Sequence, residues 1–338
     1  MYVAIKSNTT GGSKMSEITS TSENTVFKLW LGKNIRYFKR YWTLYLLLLL
    51  PLVYFVIFRY APMGNILLAF KDNNILLPVW QVPWANNGGM RWFIDAFADR
   101  DFLFALRNTF MLNFLDLVLG FPAPIILAII LNELAFKRFK RVTQTIAYMP
   151  HFLSWVIIAG LATQLFAPTN GLVNIALHRM GIIEVLPGIR FLDESFNWVW
   201  TYVFLGIWQS VGWNTIIYLA AITSINPELY EAASVDGANR MRKIWHVTLP
   251  GLKPTIIVLL IMSLGRILGS DFDRPMALRN AAVGDVSDVI SIFVYFRGLE
   301  GLQFSLATAV GLFQSVICVI FLLAANKIAE KAGERGIW

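Results

Sequence analysis

Six stretches of the chain stay apolar for about as long as an α-helix needs to cross a bilayer, roughly 20 residues. They cover 41–60, 109–131, 144–167, 198–222, 254–270 and 305–327. This pattern predicts an all-α integral membrane protein with six transmembrane helices. The first stretch holds a run of five leucines at 46–50. The long polar region before it and the lack of a small-residue cleavage site after it exclude a secretory signal.

The polar segments between these stretches set the orientation. Six crossings bring both termini to one side, and Lys and Arg mark the cytoplasmic face. With the N-terminus inside, 18 basic residues fall on the inner segments and 10 on the outer loops, with Arg266 left within a span. Acidic residues run the other way, eight inside and 12 outside, with Asp116 within a span. Both termini are therefore predicted to be cytoplasmic.

Residues 1–26 are rich in Ser, Thr, Asn and Gly and bury too little apolar area to offset the entropy of ordering. They are predicted to be a disordered tail, with Met15 an alternative start. Residues 27–42 mix Lys28, Lys33, Arg36, Lys39 and Arg40 with Trp30, Tyr37, Phe38 and Trp42, the composition of an interfacial segment. The remainder, 43–338, forms the six-helix transmembrane domain with a cytoplasmic loop at 226–254. Two outer segments, 92–107 and 171–183, alternate apolar and charged positions at helical spacing and predict amphipathic helices along the outer surface, platforms for a partner.

Composition agrees with a bilayer as solvent. The chain is 57% hydrophobic and 15% charged, against about 45–50% and about 25% in soluble domains. The net charge of +8 would point to nucleic acid in a soluble protein. Here it belongs to cytoplasmic loops, and no nucleic-acid partner is expected. Cys318 stands alone, which excludes an internal disulfide and any cysteine-based metal cluster. No nucleophile–base constellation, phosphate loop or metal-ligand spacing is present, so neither an enzyme nor a cofactor bound by this chain is expected.

The most informative loop reads NPELYEAASVDGANRMRKIWHVTLPGLKP from Asn226 to Pro254. Asn226 is placed to cap a helix, Pro227 suits its first position, and Glu228 favours the positive end of its dipole. Gly237 is placed to stop that helix in a left-handed conformation. A second helical piece follows from about Asn239, and Leu249-Pro250 is expected to break it before the fifth span begins near Pro254. Small side chains and an apolar edge suit this short helix to a partner's groove.

At these residues the chain resembles the integral-membrane subunits of binding-protein-dependent ABC importers. Their signature is Glu-Ala-Ala, three residues, Gly, nine residues, then Ile-x-Leu-Pro. Glu231, Ala232, Ala233 and Gly237 fit it, and Val247-Thr248-Leu249-Pro250 completes it with Val in place of Ile. The resemblance implies the type I importer permease fold in a bacterial cytoplasmic membrane. Glu231, Ala232, Ala233, Asp236, Gly237, Leu249 and Pro250 would then form the segment that couples to a cytoplasmic ATPase. It also implies a homologous second permease, two ATPase subunits carrying ATP and Mg, and an extracytoplasmic solute-binding protein.

Trp208, Gly212, Asn214 and Tyr218 to Ala220 are similar to the carbohydrate-import branch. Tyr148 to Phe152, Asp285 to Ile290, Ala309 to Phe313 and the closing Gly336-Ile337-Trp338 resemble the sub-branch for complex, often uronate-containing oligosaccharides. Phe296-Arg297 departs from that branch, which places the Arg directly after Tyr295. Two alternatives stay open: an importer permease for peptides or amino acids, and an ion-coupled secondary transporter. The latter needs repeats and intramembrane carboxylates, whereas Asp116 is the one carboxylate in a span.

A path for a hydroxyl-rich solute needs polar groups inside the spans. Asn113, Asp116, Gln164, Gln209, Asn214, Ser263, Arg266 and Gln314 are the candidates. Arg266 requires a carboxylate, a water-filled cavity or an anionic cargo. Asp116 is a candidate partner, which a uronate carboxylate would replace or join. A packing ion pair or an Arg snorkelling to the outer end of the span stays open beside a role in the path. The group Asp271-Phe272-Asp273-Arg274 is expected at the membrane boundary in a surface role. Gly120, Pro122 and Pro124 interrupt the second span and predict a kink there.

Overall fold

A computed structural model of the chain describes residues 37, 39–74, 76–185, 187–269, 271–334 and 336–337. The predicted tail 1–26 and most of the basic segment 27–42 lie outside the described residues. Two compact units divide the chain, Met1–Asn65 and Ile66–Trp338. Five helices are long and apolar enough to cross a bilayer: Lys39–Phe70, Arg100–Glu133, Ser195–Thr223, Arg240–Leu264 and Phe304–Lys331. They are spans one, two, four, five and six. In place of the third stand two helices, Lys137–Phe152 and Trp155–Leu165, meeting at 103°. No strand occurs among the described residues, only an isolated bridge between Lys71 and Trp84.

The break in the third segment follows from its residues. Pro150 sits in a tight turn at Met149–Phe152, Leu153 is extended, and the Ser154 hydroxyl accepts a bond from the Ile157 amide to start a new helix. An apolar stretch that looked continuous at 144–167 is thereby bent.

Prolines act differently in spans two and five. In each, a wide π-helical turn precedes the proline: Asp116–Gly120 before Pro122, and Ile244–Thr248 before Pro250. The wider turn absorbs the missing N–H and the bulk of the ring without ending the helix. Leu249-Pro250 therefore does not break the chain as expected. Span five runs without interruption from Arg240, and Pro254 lies inside it. At the other end this span stops at Leu264, earlier than predicted, and residues 265–268 are turns.

Span two is also longer than predicted. The Asp99 carboxylate caps a helix starting at Arg100 by accepting from the Asp101 amide at 2.8 Å. Residues 100–107 thus form the first turns of span two rather than a surface helix. The amphipathic outer elements are shorter than predicted, Arg91–Ala98 and Leu172–Arg179.

The main core packs spans two and four against the bent segment and the loop after span five. Leu112, Ile158, Trp198, Tyr202, Val203 and Ile292 are buried there, and the Trp198 indole donates to the Leu278 carbonyl at 2.9 Å. A second cluster, Ala128, Tyr218, Ile222 and Leu252, joins spans two, four and five near the basic loops. Gly212 lets span four approach the bent segment closely: a Cβ there would lie 2.0 Å from the Ala147 carbonyl oxygen. Overpacking ordinarily costs about 1–3 kcal/mol when side chains can shift, and here the obstacle is backbone. Gly212→Val is expected to lower membrane-integrated protein at least tenfold in detergent gel filtration. Gly160→Ala, with open space around its Cβ, is expected to leave it unchanged.

Candidate coupling loop and substrate cavity

The loop between spans four and five folds as its sequence dictates. Asn226 caps the helix Pro227–Val235, its side chain accepting from the Glu228 amide at 3.1 Å. Gly237 ends it with φ of +76° while its amide bonds to the Ser234 carbonyl and that of Ala238 to the Ala233 carbonyl. Asn239 caps the return helix by accepting from the Arg242 amide. Two cross-links hold the loop closed. The Tyr230 hydroxyl meets the buried Thr248 hydroxyl at 3.0 Å, and the Lys243 ammonium donates to the Ser234 hydroxyl at 2.7 Å.

None of the nine residues of Pro227–Val235 is buried. Glu231, Ala232, Asp236 and Gly237 are exposed and Ala233 half-buried. Leu229, Val235, Met241 and Trp245 are exposed apolar side chains on the same loop. A loop held by two cross-links that shows apolar and small residues to solvent is a candidate surface for a protein partner. Leu249 and Pro250 lie at its base, where span five resumes α-helical geometry.

A cavity of about 780 Å³ opens among spans two, four, five and six, within the roughly 300–1,000 Å³ usual for small-ligand sites. Asn113, Asp116, Asn214, Ser263, Arg266 and Gln314 all line it, together with Ser210, Asp271 and Arg274. Gln164 does not: it lines a separate hollow of about 510 Å³ with Thr163 and Asn170. Gln209 is outside too, donating to the His151 carbonyl at 3.4 Å.

Two of the polar side chains support the wall. The Asn113 amide donates to the carbonyls of Ile267 at 2.9 Å and Gly269 at 3.0 Å, and that of Gln314 to Leu268. Span five has ended here, so these carbonyls have lost their helical partners and the amides satisfy them.

The candidate partnership of Asp116 with Arg266 is not formed. Arg274 takes that place, its Nη1 donating to Asp116 Oδ2 at 2.6 Å and its Nη2 to the Tyr202 carbonyl at 2.6 Å. The guanidinium also lies 3.6 Å from the centre of the Tyr202 ring. Arg274 is 7% exposed, so the predicted surface role for this group fails at that residue. The lack of a side chain at Gly206 leaves room for it: a Cβ there would come within 2.3 Å of the guanidinium carbon. The one sequence signal for Arg274 was Asp116 itself, since an intramembrane carboxylate demands a cation. Spacing alone gave no choice between Arg266 and a residue beyond the span.

Arg266 is exposed and lines the cavity, and among the described residues its guanidinium has no hydrogen-bond or ionic partner; the same holds for the Asn214 side-chain amide. Asp271 stands at the rim. Desolvation raises its carboxyl above the ordinary Asp range, opposed by the Asp273 backbone N–H that bonds it at 3.2 Å. Among the described residues the cavity thus carries the Arg266 guanidinium and the Asn214 amide without side-chain partners, the Asp271 carboxylate, and the Asp116–Arg274 ion pair.

Comparison with known proteins places both sites in context. Residues 106–270 match the model of the family described as binding-protein-dependent transport system inner membrane component. The polygalacturonan/rhamnogalacturonan transport system permease protein YteP of Bacillus subtilis is 41% identical over 297 residues, covering 87% of this chain and 90% of that protein. The crystal structure of a bacterial ABC transporter involved in import of the acidic polysaccharide alginate contains a chain 38% identical, with a TM-score of 0.79, covering 90% of this chain and 99% of that one. A second structure of the alginate transporter, with its pentasaccharide-bound periplasmic protein, matches at 38% identity and a TM-score of 0.79, covering 89% and 98%. With the coupling signature on an exposed loop and this similarity along nearly the whole chain, the protein belongs to the binding-protein-dependent transport system inner membrane components, the permease subunits of ABC importers, which leave ATP hydrolysis to separate ATPase subunits.

Proposed function

We propose that the cavity is this subunit's part of a membrane path for oligosaccharides, acidic ones included, handed over by an extracytoplasmic solute-binding protein. The observation that carries this reading is Arg266, a cation lining the cavity whose guanidinium has no hydrogen-bond or ion-pair partner among the described residues. A guanidinium matches a uronate carboxylate in bidentate geometry, and the Asn214 amide is suited to a hydroxyl. The names of the similar proteins support the same cargo class, acidic polysaccharides. In this reading a homologous second permease completes the path in the bacterial cytoplasmic membrane, and two cytoplasmic ATPases bind ATP and Mg. Closure of the ATPases draws the loop at Pro227–Val235 inward and shifts the permeases toward the outward-open state, a population shift driven by differential binding.

A bond to a charged partner contributes about 1.5–3 kcal/mol, equivalent to roughly tenfold or more in affinity. In proteoliposomes with the full complex, Arg266→Gln is expected to raise the KM for uronate oligosaccharides about tenfold. It should leave neutral oligosaccharides of the same length within twofold. Equal, unchanged uptake of both would overturn the contact.

A further inference from the structure

The last span ends in a turn that carries the chain back on itself. After Phe304–Lys331, Gly333 takes φ of +78°, its amide bonding to the Glu330 carbonyl and that of Glu334 to the Ala329 carbonyl. The returning segment then docks on the helix it has left. Asn326, 4% exposed, accepts from the Ile337 amide at 2.7 Å through its side-chain oxygen and donates to the Glu330 carboxylate at 2.8 Å. Ala325 and Asn326 are the only buried residues described in this helix beyond Val310.

Gly336 is explained by this docking. A Cβ at that position would lie 2.4 Å from the Asn326 side-chain oxygen. The closing Gly-Ile pair, which carried a family resemblance without a stated role, thus has a steric and hydrogen-bonding reason. One further contact leaves the helix. The Glu334 carboxylate meets the Lys253 ammonium at 2.5 Å, and Lys253 lies on span five three residues after Pro250, at the base of the coupling loop.

We propose that the segment holding Gly333, Glu334, Gly336 and Ile337 is a positioning strap, fixing the end of span six to the base of the coupling loop so that motion of the loop reaches both spans together. The proposal rests on the reading of Pro227–Val235 as the element that receives the ATPase motion. Span five is continuous with the loop and needs no help to follow it, because its helix begins at Arg240. Span six is not continuous with the loop; it packs on span five, with Leu322 against Gly265 at the far end. The strap adds a tie at the loop end through Lys253 and Glu334, while Asn326 and Gly336 hold the strap in register.

The test uses the assembled importer in proteoliposomes, reading cargo molecules transported per ATP hydrolysed. Gly336→Val prevents docking and is expected to lower this ratio at least threefold, with the ATPase rate within twofold of the parent. Lys253→Glu and Glu334→Lys singly are expected to lower it about twofold, and the two together to restore it. The swap keeps the test decisive where Gly336→Val fails to assemble. An unchanged ratio in the assembled Gly336→Val complex, or no restoration by the double swap, would overturn the strap. Failure of the underlying reading has a different signature: full transport by a variant with a disrupted loop at Gly237.

Discussion

Asp116→Asn is expected to destabilise the permease more than any other single change at the cavity. The substitution keeps the shape of the side chain and removes its charge, leaving the Arg274 guanidinium held by the Tyr202 carbonyl and ring without its hydrogen-bonded carboxylate. Removing one partner of a buried pair costs about 3–5 kcal/mol. The Asp116 side chain is 31% exposed toward the cavity, which places the cost at the lower end of that range. Against a total stability of about 5–15 kcal/mol this is a large fraction. At about 2–4 °C per kcal/mol it corresponds to a fall in Tm of about 6–12 °C for the purified complex.

The double change Asp116→Leu with Arg274→Met removes both charges together, and apolar replacement of a whole pair is often neutral or stabilising. It is expected to recover at least half of the loss. Thermal unfolding followed by detergent gel filtration reads this double variant beside Asp116→Leu and Arg274→Met singly. Simple additivity of the two single losses would show that the groups do not interact.

The second large effect is expected at the coupling loop. At Gly237 no atom lies within 4 Å of a built Cβ, so its side-chain freedom is limited by the backbone alone, at φ of +76°. The left-handed conformation costs an L-residue about 1–2 kcal/mol, and a β-branched one finds it hardest. Gly237→Val combined with Glu231→Trp on the exposed face is expected to lower uptake more than tenfold while the complex still assembles. Gly237→Asn, which tolerates this conformation, is expected to retain at least half of the uptake. Normal coupling of ATP hydrolysis to uptake in the bulky double variant would remove the loop from the transmission path.

How much of this was legible beforehand depended on the range of the interactions concerned. The coupling helix was read almost residue by residue, because Asn226, Pro227, Gly237 and Asn239 act on backbone within a few positions of themselves. Proline positions misled where neighbours compensated. Leu249-Pro250 signals a break, yet the π-helical turn at Ile244–Thr248 carries the helix through it. Of the eight polar candidates within the spans, Gln164 and Gln209 lie outside the main cavity. Apolar stretches mark a helix in the bilayer but not which of its faces turns toward a hollow.

What the amino-acid sequence determined by itself was the local and the additive. Apolar runs long enough for the bilayer, the asymmetry of Lys and Arg, and the caps and turn of the coupling loop each need only neighbouring residues and a solvent. Tertiary structure alone decided which charges meet and which glycines are indispensable. Asp116 and Arg274 are 158 residues apart in the chain, and Arg266, nearer in sequence and inside the predicted span, is left lining the cavity. Gly206, Gly212 and Gly336 matter for what a Cβ would strike: Arg274, Ala147 and Asn326. Those neighbours are brought close by packing of distant segments, and a contact between distant segments has no signature in the composition or period of either one.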